Sequence, residues 1–252
     1  LENLETEKIK AILFDLGDTL IHGNFTAGQT ESVWEEIYAR LINPQADPAI
    51  PGLAQIRAAW QIHVQSAMAR VWKEKTEQEL EFLPMIQRAF EAAGLERASD
   101  HLFLREVVTL EHHLLYTTVV EVAPLAISTL KELKQRGYRL GLVSNFCNLP
   151  EVAYANIAEV GLLQYFDQTL LSCEFGWRKP SPSIYQAICE MLEVEPAACL
   201  FIGDRLIEDV QGPQRAGMQA AQFTLFRQEE PVSSIQPNAV LGDFDQLLEL
   251  LA

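Results

Sequence analysis

Ile9-Lys10-Ala11-Ile12-Leu13-Phe14-Asp15-Leu16-Gly17-Asp18-Thr19-Leu20 is the stretch on which the fold turns. Ala11 to Phe14 is an uninterrupted apolar run, the pattern of a strand buried on both faces in a parallel sheet. The run stops at Asp15, and Gly17 permits a sharp turn just beyond it. A carboxylate at the C-terminal end of such a strand lies at the rim where open α/β sheets bind ligands. Taken alone, Asp15 serves equally well as the cap of a loop or of a helix start.

Working outward, the same pattern recurs. Tyr138 to Ser144 (YRLGLVS) is a second buried-strand run that ends in a hydroxyl, with Asn145 next. Arg178-Lys179-Pro180 follows a third run. Gly203-Asp204, with Asp209 five residues on, follows a fourth, Cys199 to Ile202. Polar groups at the ends of four strands point to one site along one sheet edge. In this order, Asp, Ser, Lys and then GDxxxxD, the chain resembles the haloacid dehalogenase (HAD) superfamily. The resemblance covers nearly everything outside residues 25–116.

Alternation of apolar runs and helical stretches supports an α/β fold with a doubly wound, mostly parallel sheet. Helices are expected at 124–136, 150–160, 181–192, 207–216 and 243–251, and further strands at 168–172 and 219–224. Residues 25–116 read differently. Asn24 to Gly28 reads as a linker, and Trp34, Ile37, Tyr38 and Leu41 lie at i, i+3, i+4 and i+7 of a helix ended by Asn43-Pro44. Leu53, Ile56, Trp60, Val64, Ala67 and Val71 line a longer helix. Phe82, Ile86 and Phe90 continue in a third helix, in which Pro84 implies a kink or a late start, and Ser99-Asp100 caps a fourth. The division expected is therefore 1–24 and 117–252 as a Rossmann-like core, with 25–116 as an inserted all-helical domain. In the HAD superfamily an insert at this point is the C1-type cap.

At 252 residues the chain can bury a sizeable core. Its net charge of −16 speaks against a nucleic-acid partner, because no basic stripe is present to displace counterions. A phosphorylated substrate would need local positive charge. No apolar run approaches the roughly 18 residues of a membrane span, and the polar start of the chain does not read as a signal peptide. Cys147, Cys173, Cys189 and Cys199 form no CxxC pair and read as reduced thiols of a cytoplasmic protein.

What the resemblance implies is a hydrolase of the phosphatase type, acting on a small phosphorylated metabolite with Mg²⁺. Asp15 would be the nucleophile, already ionised at neutral pH and needing no base. Asp15, Asp204, Asp209 and the main-chain carbonyl of Gly17 would hold the metal. Ser144 would hydrogen-bond the phosphoryl group, and Lys179 would neutralise Asp15 and phosphoryl together. Asn145 reads either as a neighbour of the substrate or as a turn residue. His22 lies just past the nucleophile turn and is a candidate to reach the site. His63 reads as a packed core histidine and Trp60 and Trp72 as core of the insert. His112 and His113 are adjacent and cannot share a helix face. Lys73 and Lys75 lie in a charged stretch that reads as a solvated face.

One position departs from the family pattern. Phosphatases of the superfamily carry a second Asp two residues after the nucleophile, to protonate the leaving alcohol and later activate water. Here that position is Gly17, and an Asp comes one residue later as Asp18. Three functions compete on this account: a phosphatase tolerant of the loss, a C–halogen or phosphonate C–P hydrolase, and a catalytically weak binding protein that keeps the pocket.

Overall fold

β1 (Ala11–Phe14) forms at the expected residues, with all four side chains buried. The computed structural model describes residues 4–23, 26–43 and 45–252. The linker expected at Asn24 to Gly28 and the helix stop at Asn43-Pro44 fall in part on Asn24, Phe25 and Pro44, outside the described residues. The other strands are β2 (Ile21–Gly23), β3 (Val120–Val122), β4 (Arg139–Ser144), β5 (Gln168–Leu171), β6 (Cys199–Gly203), β7 (Gln219–Phe223) and β8 (Ala239–Leu241). Six of them make one sheet in the order β5-β4-β1-β6-β7-β8, every pairing parallel.

This order follows from the sequence pattern. β1, β4 and β6 are apolar almost throughout, so both faces must be covered, and they take the centre. Ala11 and Leu13 share a core cluster with Ile184, Ile188 and Phe201, against helix Pro182–Leu192. The chain runs outward from β1 through β4 to β5, returns to β6 on the other side, and continues to β8. The strand order therefore reverses beside β1, and a crevice outside the carboxyl ends of β1 and β6 is where such sheets place ligands.

Three strands were not anticipated. β2 and β3 form a separate two-stranded ribbon, and β8 closes the far edge of the main sheet. Each has three residues, too few to show a period. The strand read through Ser172 ends at Leu171, and Ser172 opens the short helix Ser172–Phe175.

The chain divides into two compact units. One comprises Leu1–Gly23, Glu121–Phe146 and Ile157–Ala252, and contains the sheet; the other comprises Asn24–Val120 and Cys147–Asn156. The second segment of the helical unit lies in a range read from sequence as sheet domain. Its Leu149 and Val152 are buried in the helical core, which a single sequence pattern cannot assign to one neighbour or another.

Within the helical unit, Thr26 and Gln29 form a reciprocal capping box at the start of helix Ala27–Ile37. Asp100 accepts from the main-chain nitrogens of Leu102 and Phe103 and so caps helix His101–Val119. Trp34, Trp60, Phe90 and Phe103 pack in succession through the core, the first pair edge-on and the others tilted, with centroid separations of 4.7, 6.2 and 6.0 Å. Trp60 is thus core, as read. His63 is not: Val64 next to it takes the inward position, and His63 is half-buried beside Arg70 and Arg88 in a surface cleft. Burial pushes the His112 imidazole down to about 4. Among the described residues no helix is long and apolar enough to cross a membrane.

Candidate active site

Asp15 is the first residue past β1, and its main-chain nitrogen donates to the Ile202 carbonyl of β6 at 2.9 Å. That bond fixes the carboxylate beside the end of the neighbouring strand. Lys179 Nζ donates to Asp15 Oδ1 and to Asp209 Oδ1, each at 2.6 Å, with the lysine side chain only 2% exposed. Asp15, Asp204 and Asp209 offer oxygens within 4.8 Å of one another. Residues separated by nearly two hundred positions thus converge because parallel strands end on one edge.

Lys179 reaches this point because its main chain is clamped. Asn145 accepts from the Lys179 nitrogen at 2.8 Å and donates its amide to the Lys179 carbonyl at 2.9 Å. Both ends of the Asn145 amide are therefore used to hold the loop that carries the lysine. Ser144, the last residue of β4, is 6% exposed on the same edge.

Asp209 is brought back by a wide helical turn, Leu206–Gln211, and its Oδ2 accepts from the Arg205 nitrogen at 3.0 Å. Gly203 makes room for it. A Cβ at residue 203 would lie 2.4 Å from Asp209 Cγ, far inside contact distance. Gly203→Ala is expected to displace Asp209 and loosen Lys179. It should cost about 1–3 kcal/mol of stability, the usual range for overpacking, measured by denaturant unfolding. An unchanged midpoint would show that the carboxylate moves aside freely.

Burial pushes the Asp15 carboxyl up to about 6; Lys179 pulls it down and Asp209 adds to the rise. Burial, with Asp209 and Asp15 beside it, takes Asp204 up to about 8, against the pull of Arg227. For Lys179, burial acts to lower the ammonium, but Asp15 and Asp209 outweigh it and hold it above its ordinary value. Buried carboxylates crowded together in this way seek positive charge. Their hard oxygens suit a divalent cation such as Mg²⁺ or Ca²⁺ better than a thiophilic metal.

Gly17 is exposed, and no heavy atom lies within 4 Å of where its Cβ would be. Asp18 takes the left-handed conformation, φ +55°, which non-glycine residues seldom adopt. Its carboxylate is held on both sides. Oδ1 bonds His22 Nδ1 at 2.8 Å, and Oδ2 accepts from Arg227, whose Nε donates in turn to Asp204. Arg227 escaped the sequence reading. Its signal was faint: a basic residue four positions past β7, on the edge where Asp15 and Asp204 end their own strands. His22 joins the network through Asp18 and stacks on Phe226, centroids 4.5 Å apart.

Comparison with known proteins fits this arrangement. A family model described as haloacid dehalogenase-like hydrolase matches residues 9–217. The chain is 30% identical over 132 residues to a glyceraldehyde 3-phosphate phosphatase of Methanothermobacter thermautotrophicus, covering 51% of this chain and 58% of that protein. It is 30% identical over 139 residues to haloacid dehalogenase-like hydrolase domain-containing protein 3 of Homo sapiens, covering 55% and 53%. The matches span about half the length of these curated relatives. In fold, it is similar to a 2-haloacid dehalogenase from Pseudomonas syringae, with a TM-score of 0.68 at 22% identity, over 96% of this chain and 98% of that one. A HAD phosphatase from Thermococcus onnurineus superimposes with a TM-score of 0.61 at 22% identity, over 97% and 98%. With the family model matched across both the Asp15 and the Asp204–Asp209 segments, the chain belongs to the haloacid dehalogenase-like hydrolase family.

Proposed function

We propose that the chain is a Mg²⁺-dependent phosphatase of a small phosphorylated metabolite, working through an aspartyl-phosphate on Asp15. The observation that carries this reading is Lys179 Nζ set between Asp15 and Asp209 at 2.6 Å, inside a cluster completed by Asp204. Relatives named glyceraldehyde 3-phosphate phosphatase and, at 30% identity over 140 residues, phosphoglycolate phosphatase of Vibrio vulnificus support the substrate class.

Asp15 supplies the attacking oxygen. Its problem is the approach of one anion to another, and Lys179 reduces it by placing a fixed, buried ammonium against the attacking carboxylate. Asp15, Asp204, Asp209 and the Gly17 carbonyl would hold Mg²⁺, which when bound supplies further positive charge toward the phosphoryl oxygens. Ser144 contributes a hydroxyl for the phosphoryl group. Asn145 serves by keeping Lys179 in place, next to whatever contact it makes with substrate. Gly17 has no proton to give, so esters of acidic alcohols should be turned over best.

The test is release of inorganic phosphate from an aryl phosphate in Mg²⁺, then in chelator, then with Mg²⁺ restored. Turnover should vanish and return. If a panel of aryl and small metabolite phosphates yields no phosphate in Mg²⁺, the reading fails. Halide release from a 2-haloacid, or cleavage of a phosphonate, would then be measured.

A pH effect follows from the raised carboxyls. The folded, metal-free protein binds protons at Asp15 and Asp204 more readily than the unfolded chain does. Stability from these groups is therefore full below about pH 4 and is lost as pH rises through about 6 and about 8. In chelator the melting temperature should fall between pH 6 and pH 8 by an amount on the order of 5 °C. In saturating Mg²⁺, which favours the ionised forms, that fall should shrink. The same slope with and without Mg²⁺ would rule these two groups out as its source.

A further inference from the structure

We propose that Arg227 is a built-in competitor for the cation site: its guanidinium pairs with Asp204, is held there by Asp18, and must give way for a divalent cation to bind tightly. This deepens the metal-dependent reading above and rests on it.

Asp204 is 1% exposed, so when it ionises its charge needs a partner in the absence of a cation. Lys179 does not fill that role, because its ammonium bonds Asp15 and Asp209. Arg227 does, through Nε. A guanidinium is a planar fork with several donors, so one end can bond Asp204 while the other bonds Asp18. The second bond is what orients the first.

Asp18 is itself fixed. Its other oxygen bonds His22 Nδ1, and the His22 ring lies parallel to Phe226 within 5°, directly before Arg227 in the chain. The stack ties the Asp18 turn to the segment that carries the arginine. This gives the Gly17-Asp18 order a physical meaning. Asp18 stands in a left-handed turn, with both oxygens committed, as the tether of an arginine.

Four carboxylates, those of Asp15, Asp18, Asp204 and Asp209, meet the ion-paired Lys179 and Arg227, and Arg205 adds a further positive charge near Asp204. Once ionised, these carboxylates keep an excess of negative charge that a divalent cation can meet. Such a cation on Asp204 meets the Arg227 charge at the same carboxylate, and one of the two must yield. Arg227 is the mobile party, since its side chain is 35% exposed and Asp204 is buried.

The experiment is calorimetric titration of Mg²⁺, and of Mn²⁺ as a tighter-binding probe, into chelator-stripped protein. Wild type is compared with Arg227→Ala, Arg227→Lys and Asp18→Asn, and thermal melts check folding. Arg227→Ala should bind the cation about 10-fold more tightly, the scale of one lost charge-assisted hydrogen bond. Arg227→Lys should return toward wild type, because it keeps the charge. Asp18→Asn should tighten binding by less than Arg227→Ala, since the arginine loses only its tether.

Equal affinity in wild type and Arg227→Ala, with binding in both, overturns the competition while leaving the cation site standing. Weaker binding in Arg227→Ala also overturns it, and makes Arg227 a support of the loaded site. If no variant binds either cation, the metal-dependent reading is lost and this inference with it. Asp204→Asn, which should abolish the heat of binding, confirms that the titrated site is this one.

Discussion

Asp15→Asn is expected to reduce phosphate release by a factor on the order of 10⁴ or more, the scale seen when a covalent nucleophile is removed. The substitution changes one oxygen to an amide nitrogen and leaves the volume unchanged. A carboxamide is neutral and a poor nucleophile, so the proposed covalent step loses its attacking oxygen. The fold should survive. Lys179 retains its bond to Asp209, and the Asp15 main chain retains its bond to Ile202. Stability in chelator should change little, because a buried carboxyl already raised by its surroundings is replaced by a neutral group. The measurement is steady-state turnover of an aryl phosphate, joined to mass spectrometry of acid-quenched enzyme for an added phosphoryl group. Activity within about tenfold of wild type would remove Asp15 from the chemistry and with it the covalent route.

Gly17→Asp should act in the opposite direction, and by a large factor for the right substrate. General acid–base assistance is typically worth about 10²- to 10⁴-fold. The structure has room for the side chain: a Cβ at Gly17 meets no heavy atom within 4 Å, and the residue is not among those with positive φ. Asp18 is poorly placed to supply the same proton, since its two oxygens are taken by His22 and Arg227. The gain should be greatest for alkyl phosphates, whose alkoxide leaves badly without a proton. It should be slight for aryl phosphates with acidic phenols. Comparing kcat for the two substrate types in wild type and variant tests this directly. A variant no faster on alkyl phosphates would mean that the chain handles its leaving group by other means, or that its natural reaction needs no proton there.

These two substitutions sit two residues apart in one turn, and they show how unevenly the site could be read. Asp15, Lys179, Asp204 and Asp209 were legible because each follows or begins a recognisable strand–turn signal, and because their order resembles a known family. Asn145 was legible as a site neighbour, but its clamp on the Lys179 main chain was not. That clamp joins two loops 34 residues apart, through both ends of one amide. Gly203 was legible as part of a motif, while its steric necessity appeared only with Asp209 against it. Arg227 carried almost no local signal, since an arginine in an irregular segment after a strand is ordinary surface sequence.

By itself the sequence determined the architecture. Apolar runs of four to six residues, broken by turn residues and alternating with helical periods, admit little besides a parallel sheet covered on both faces, with a helical insert between its first two central strands. It also determined the chemical inventory, one lysine and three aspartates in the segments that follow strands. These features are local, and local pattern reports on burial and secondary structure. Only the tertiary structure decided which short strands pair, that Cys147–Asn156 joins the helical unit, and where the Asp18 carboxylate is spent. Those outcomes depend on contacts between residues far apart in the chain. Nothing in a residue's own neighbourhood tells whether a carboxylate in a tight turn will meet water, a metal or an arginine 209 positions away.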